Sequence, residues 1–140
     1  MPVDQLACAS EIRCALGKRA LPRFRELFGV QYGGPLRFRD LFVAKYEQPD
    51  GQAGLDGHVD ASLLSLVLQL NPLDEFEGGG TYFEHCDLCA RPQPGGAVLF
   101  LGKVYHAARP ITCGRRLILV ALIDRDEQAL ESTSRECVGT

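Results

Sequence analysis

The feature that most constrains the fold of this 140-residue chain is a succession of short apolar segments, separated by turn-forming residues, between residues 36 and 124. These segments are rich in the aliphatic, β-branched and aromatic residues that favour strands. They are LRFRDLFVAKYE, LLSLVLQLN, FEGGGTYFEH, AVLFLG and RRLILVALI. Turn-rich stretches such as QPDGQAGLDG and RPQPGG lie between them. Many short strands divided by turns favour a sandwich, jelly roll or barrel over a doubly wound α/β fold.

The N-terminal part of the chain has a different period. Its apolar residues fall at roughly helical spacing between positions 5 and 29, with charged residues between them. They are Leu6, Ile12, Leu16, Leu21, Phe24 and Leu27. Pro22 is expected to divide this stretch into two helices, because proline suits a first helical turn and disrupts a helix interior. The predicted organisation is therefore a helical lead-in at 1–35, a β core at 36–124 and a polar, poorly ordered tail at 125–140.

Composition excludes several function classes. Hydrophobic residues make up 46% and charged residues 24%, as in folded domains. A net charge of −3 argues against nucleic acid as a partner, since its binding needs a concentrated basic surface. No apolar run is long enough to predict a membrane segment. The N-terminal residues show no apolar leader, so the expected location is the cytoplasm.

A histidine and a carboxylate open one of the most apolar segments, in GHVDASLLSLVLQLN. On a strand, residues i and i+2 project from the same face, so His58 and Asp60 are expected to point together if a strand begins there. One more histidine, His85 or His106, would complete a set of two imidazoles and one carboxylate. Such a facial triad suits non-haem Fe(II) and leaves coordination positions open for chemistry. An ordinary surface pair is the alternative interpretation of His58 and Asp60.

A second candidate site is HCDLC. His85, Cys86 and Cys89 have spacing found in zinc sites and redox motifs. A zinc site would need a fourth ligand, and the chain has no second Cys-x-x-Cys. The six cysteines match no small secreted disulfide framework, which favours reduced thiols.

Arg116 begins the last apolar segment, RRLILVALI. A permanent charge carried into a core is costly unless an anion meets it, and a planar guanidinium fits a carboxylate through two hydrogen bonds. Arg116 is therefore a candidate for binding a small dicarboxylate, or for an internal salt bridge. Strand alternation points the neighbouring Arg115 outward.

These features occur in an order that resembles a known family. The segment from Phe42 to Ile123 is similar to the catalytic domain of Fe(II)- and 2-oxoglutarate-dependent dioxygenases, in the prolyl 4-hydroxylase and procollagen-lysyl hydroxylase branch. The resemblance is carried by FVAKY, HVDAS, LVLQLN, FEGGGTYF, PGGAVLF, His106 and PITCGRR. It implies a double-stranded β-helix, a distorted jelly roll, which agrees with the strand pattern.

The resemblance also implies roles for individual residues. His58, Asp60 and His106 would be the iron ligands, Arg116 would bind the distal carboxylate of 2-oxoglutarate, and Tyr46 would lie near this co-substrate. The implied activity is O2-dependent hydroxylation of a prolyl or lysyl side chain in a protein or peptide, with release of succinate and CO2. A small-molecule substrate stays open, and ascorbate is a further candidate cofactor. The competing hypotheses are an inactive jelly-roll binding module and a zinc or thiol protein using His85, Cys86 and Cys89.

Overall fold

The computed structural model describes residues 1–138, within which nine strands form two antiparallel sheets. The strands are β1 (Leu36–Gln48), β2 (Leu55–His58), β3 (Leu64–Gln69), β4 (Phe76–Gly78), β5 (Thr81–Phe83), β6 (Leu88–Ala90), β7 (Ala97–Leu101), β8 (His106–Ala108) and β9 (Ile111–Arg125). The larger sheet has the order β1-β9-β3-β7, with β4 also paired to β9. The smaller sheet has the order β2-β8-β5-β6. This is the predicted jelly-roll arrangement, and the expected fold class is confirmed.

Period-two alternation gives the larger sheet two apolar faces. On β9, Leu119, Ala121 and Ile123 pack into a core cluster with the N-terminal helices. Ile118, on the opposite face of the same strand, packs into a second cluster between the sheets. Because successive strand residues point to opposite sides, one near-continuous apolar strand supplies both cores.

Two helices cover the outer face of the larger sheet. They are α1 (Ala9–Arg19) and α2 (Leu21–Phe28), and Pro22 lies in the first turn of α2, so the predicted division at this proline is confirmed. Leu16 of α1 and Phe24 of α2 are buried against the sheet, with Phe24 fully inaccessible. Short 3-10 turns at Val3–Gln5 and Val30–Tyr32 flank the helices. No helix in this described part of the chain has the length and apolarity that a bilayer crossing needs.

Some boundaries differ from the sequence expectation. The loop expected after the first strand ends earlier, because β2 begins at Leu55. The final strand begins at Ile111, before RRLILVALI, because β4 and β1 both extend its pairing. The segment expected to be a polar, poorly ordered tail instead forms α3 (Glu127–Val138), whose acidic first residue suits a helix N-terminus. Residues 139 and 140 lie outside the described residues.

Candidate metal centre

His58 and His106 lie directly opposite each other on adjacent strands of the smaller sheet. They are Cα partners in the pairing of β2 with β8, and their ring centroids are 4.4 Å apart. His106 is only 6% exposed, and the edge-on ring of Phe100 contacts it at a centroid distance of 4.5 Å. Strand pairing therefore brings together two imidazoles that are 48 positions apart in the sequence.

Asp60 joins the two histidines from a loop, and not from a shared strand. β2 ends at His58 and β3 begins at Leu64, so the expectation that His58 and Asp60 share one strand face is wrong. The Asp60 backbone N–H donates a 2.8 Å hydrogen bond to the Gly102 carbonyl, which holds the loop against the start of the turn that follows β7. The convergence predicted for this pair nevertheless occurs, with Asp60 carried by the loop between β2 and β3.

The three side chains have the spacing of a ligand set for one ion. Asp60 Oδ1 lies 3.4 Å from His58 Nε2, and Asp60 Oδ2 lies 3.6 Å from His106 Nε2. One ligand atom from each residue can be chosen so that all lie within 4.8 Å of one another. Ligands in neighbouring octahedral positions, each at ~2.1 Å from an ion, would be ~3 Å apart. A small inward adjustment would therefore place all three on one side of a metal ion.

Backbone carbonyls orient both imidazoles. His58 Nδ1 lies 2.8 Å from the Asp56 carbonyl oxygen, and His106 Nδ1 lies 2.8 Å from the Val104 carbonyl oxygen. A carbonyl can only accept, so in each neutral ring Nδ1 carries the proton and Nε2 keeps its lone pair. Both rings thus direct Nε2 toward Asp60. Metal-ligating histidines commonly have this arrangement, in which the other ring N–H donates to a backbone carbonyl.

Sequence reasoning missed a serine that holds the carboxylate. Ser65, which is fully buried in β3, donates a 2.6 Å hydrogen bond to Asp60 Oδ2. The Ser62 hydroxyl lies 3.2 Å from the Ser65 hydroxyl. The only sequence signal was a lone hydroxyl inside the apolar run LLSLVLQ. A polar side chain buried in such a run needs a hydrogen-bond partner, but the sequence does not say which one.

A small cavity lies between the sheets and reaches this trio. Its volume is about 100 Å³, and it is lined by Phe42, Ala44, Tyr46, Leu55, His58, Asp60, Val67, Thr81, His106, Ala107, Ala108, Ile118, Val120 and Leu122. The wall is mostly apolar, so its few polar groups would determine how a ligand inside is oriented. Tyr46 is 6% exposed, and burial raises the pKa of its phenol above the ordinary value, with the nearby Arg116 charge opposing this rise. The phenol therefore remains a neutral hydrogen-bonding group at neutral pH.

Arg116 lies beside Tyr46, which lines this cavity, although Arg116 does not line the cavity itself. The two residues are Cα partners in the pairing of β1 with β9, and the Arg116 guanidinium carbon is 5.9 Å from the Tyr46 ring centroid. Arg116 is 2% exposed, and burial lowers the pKa of its guanidinium below the ordinary value. Its neighbour Arg115 points outward, as predicted, and pairs with Glu47 at 2.6 Å.

The buried guanidinium of Arg116 has no anionic partner among the side chains that the structure describes. Its Nε donates to Gln69 Oε1 and its Nη1 donates to the Gly80 carbonyl, both at 3.3 Å. None of the ion pairs in this part of the chain involves it. The alternative of an internal salt bridge is therefore wrong for these residues, and the desolvation cost of the charge is left for an external anion to offset.

The residues of HCDLC do not form a comparable group. His58, Asp60 and His106 are the one set of potential ligands that gathers among the described side chains, and His85, Cys86 and Cys89 do not gather. The five cysteines that the structure describes are free, while Cys137 lies outside the described side chains. The zinc-site alternative therefore lacks support from the geometry.

Comparisons with known proteins agree with the fold and with the ordered motifs. No family model matches the chain. Procollagen-lysine,2-oxoglutarate 5-dioxygenase 1 of Mus musculus is 39% identical over 92 residues, which are 63% of this chain and 12% of the relative. With 12% of that relative covered, the chain spans about an eighth of the length of the curated relatives it matches.

Solved structures give the same fold at lower identity. A 2OG-Fe(II) oxygenase family oxidoreductase from Burkholderia pseudomallei superposes with a TM-score of 0.68 at 20% identity, covering 84% of this chain and 56% of that chain. A prolyl-4-hydroxylase from Pseudomonas putida has a TM-score of 0.64 at 24% identity, covering 86% of this chain and 68% of that chain.

Together, the fold and the side-chain trio define a double-stranded β-helix domain of the kind found in 2-oxoglutarate–Fe(II) oxygenases. In sequence, the chain is similar to procollagen-lysine 2-oxoglutarate 5-dioxygenases over the matched residues. The resemblance to the prolyl and lysyl hydroxylase branch is confirmed.

Proposed function

We propose that this chain is an Fe(II)- and 2-oxoglutarate-dependent hydroxylase acting on a prolyl or lysyl side chain of a protein or peptide. The observation that carries the proposal is the convergence of His58, Asp60 and His106 on a cavity that is also lined by Tyr46, the neighbour of the buried Arg116. A co-substrate with a metal-binding group at one end and a carboxylate at the other matches this arrangement. The names of the sequence relatives support the same chemistry.

The donor set fits a ferrous ion. His58, Asp60 and His106 would hold Fe(II) through two imidazoles and one carboxylate, a donor set that leaves coordination positions open. When bound, Fe(II) supplies the oxygen chemistry that couples loss of CO2 from 2-oxoglutarate to hydroxylation of the substrate. The protein contributes the orientation of His58 and His106 through backbone carbonyls and a mostly apolar cavity wall beside them.

Arg116 would bind the distal carboxylate of 2-oxoglutarate. A guanidinium recognises a carboxylate through two parallel hydrogen bonds, and such a pair is strong in a site closed to water. The neutral phenol of Tyr46, next to Arg116, would add a hydrogen bond to the same carboxylate. An inactive binding module would have no use for the ligand trio of His58, Asp60 and His106 together with the unneutralised Arg116, so the combination favours an enzyme over that alternative.

The substrate side chain would approach the metal centre past His106. A crevice of about 210 Å³ borders His106 there, and its walls include Gly57, Tyr82, Glu84 and Tyr105. Tyr105 is half exposed, so it is available to contact a peptide. The Glu84 carboxylate would attract the ammonium of a lysyl side chain, which favours lysine over proline as the residue modified.

Two measurements test the proposal. Under inert gas, Fe(II) followed by 2-oxoglutarate should produce a weak visible charge-transfer band in the wild-type protein and none in the His58→Ala variant. In air, a peptide library incubated with the protein, Fe(II), 2-oxoglutarate and ascorbate should contain peptides heavier by one oxygen atom, with stoichiometric succinate. Well-folded protein that yields neither the band nor succinate would contradict the proposal.

A further inference from the structure

We infer that Gln69 is a positioning residue that sets the orientation of the Arg116 guanidinium for the distal carboxylate of the co-substrate. This inference rests on the proposed function, because it concerns how the same co-substrate is bound. Gln69 is 2% exposed at the end of β3, next in the sheet to β9, which carries Arg116. In the sequence it is the polar residue near the end of the apolar segment LLSLVLQLN.

The polarity of the network around Gln69 is determined by the backbone. The Leu117 N–H donates to Asn71 Oδ1 at 2.7 Å, and Asn71 Nδ2 donates to the Arg115 carbonyl at 2.7 Å. An N–H can only donate and a carbonyl can only accept, so the amide of Asn71 has one possible orientation. Asn71 is 7% exposed, and its side-chain oxygen is therefore a fixed acceptor inside the protein.

This fixed acceptor in turn orients the amide of Gln69. Gln69 Nε2 donates to the Asn71 carbonyl at 2.8 Å and to Asn71 Oδ1 at 3.1 Å. Both partners are acceptors, so the nitrogen of the amide must face them and Oε1 must point the other way. Oε1 is then directed at Arg116 Nε, 3.3 Å away. The chain of bonds from Leu117 to Arg116 leaves no alternative assignment of donors.

The bond to Gln69 orients the guanidinium without neutralising it. An arginine has five N–H donors, of which Gln69 takes the one on Nε and the Gly80 carbonyl takes one on Nη1. Three donors are left, and a carboxylate bound through both oxygens needs two. Both bonds are 3.3 Å long, whereas charge-assisted bonds to carboxylates are typically ~2.7–2.9 Å. A neutral amide thus fixes the plane of the fork and leaves its charge for a ligand.

Glutamate at this position would have the opposite effect. Its carboxylate would pair with Arg116 and compete with any external anion for the remaining donors. The second oxygen would face two acceptors of Asn71 with no proton to share. A neutral acceptor is therefore the side chain that this role requires.

The test compares two co-substrates that differ only at the distal end. Protein loaded with Mn(II) is titrated calorimetrically under inert gas with 2-oxoglutarate or with 2-oxopentanoate, which has the same carbon chain without the distal carboxylate. In Gln69→Met, which has similar volume but no acceptor, we expect the Kd for 2-oxoglutarate to rise about tenfold. The Kd for 2-oxopentanoate should stay within twofold of wild type. Gln69→Leu serves as a second variant, and the exposed Gln93→Leu as the matched control.

The outcomes distinguish a failure of this inference from a failure of the proposed function. Equal weakening of both ligands would indicate a general structural role and would overturn the inference, as would unchanged binding of 2-oxoglutarate. Wild-type protein that binds Mn(II) but neither ligand would overturn the proposed function, and this inference with it. Loss restricted to 2-oxoglutarate in either Gln69 variant supports the assignment.

Discussion

The Ser65 hydroxyl donates a 2.6 Å hydrogen bond to Asp60 Oδ2, from a position with no solvent exposure. This bond joins the inner strand of the larger sheet to the loop that carries the carboxylate of the candidate metal centre. It restricts rotation of the carboxylate and occupies one of its two oxygens. Ser65 therefore favours ligation of a metal through a single oxygen, which leaves more coordination positions open.

Removal of this hydroxyl should weaken metal binding. We expect Ser65→Ala to raise the Kd for Fe(II) or Co(II) by about 10- to 100-fold, the range found when groups that orient a ligand are lost. Ser65→Thr, which keeps the hydroxyl, should retain much of the affinity. Anaerobic titration measured from the Co(II) absorption spectrum checks this, with the exposed Ser10→Ala as control. Wild-type affinity in Ser65→Ala would show that the bond has no part in holding the carboxylate.

The histidines offer a direct comparison. His106→Ala should abolish stoichiometric Co(II) binding, because two of three ligands hold a small divalent ion poorly. His85→Ala should bind Co(II) like the wild type, since His85 lies outside the gathered set. The same titration distinguishes them. Loss of Co(II) binding in His85→Ala, with retention in His106→Ala, would contradict this assignment and place the metal site at HCDLC.

Arg115 and Arg116 are adjacent in sequence and differ in role. Arg116→Ala should raise the 2-oxoglutarate concentration needed for half-maximal succinate formation by tenfold or more and leave Co(II) binding largely intact. Arg115→Ala should change neither quantity, because Arg115 is exposed and pairs with Glu47 at the surface. Equal loss of metal and co-substrate binding in Arg116→Ala would contradict this division of roles.

Glu84 provides a test of substrate choice. If a lysyl ammonium binds in the crevice beside His106, Glu84→Gln should lower kcat/KM for lysyl peptides more than for matched prolyl peptides. Rates of oxygen addition, followed by mass spectrometry on paired peptides, give the ratio. A parallel fall for both peptides would place Glu84 outside substrate recognition.

The helical lead-in should be essential for stability. Phe24 is fully buried between α2 and the larger sheet, so Phe24→Ala should lower the free energy of unfolding by ~3–5 kcal/mol. Leu27, on the same helix, is 62% exposed, and Leu27→Ala should change stability little. Urea denaturation followed by circular dichroism measures both. Similar stability of Phe24→Ala and wild type would mean that the helices add little to the core.

Much of the architecture could be predicted from local pattern. Alternation along LRFRDLFVAKYE and RRLILVALI predicted strands, and Pro22 predicted the division between α1 and α2. The residue types of the candidate site could also be predicted. Imidazoles, a carboxylate and an arginine beside apolar segments cost free energy when buried, unless each has a partner or a ligand. Those preferences act between near neighbours, so the amino-acid sequence by itself determined them.

The tertiary structure decided which of these residues meet. Pairing of β2 with β8 selected His106 as the partner of His58, and the loop between β2 and β3 placed Asp60 beside them. The hydrogen bonds from Ser65 to Asp60 and from Arg116 to Gln69 depend on how the loops and sheets pack, as does the absence of a described anion beside Arg116. Such contacts join residues that are far apart along the chain or lie on different elements. Local periodicity therefore carries no information about them. These contacts stabilise the protein only once the two sheets have packed against each other.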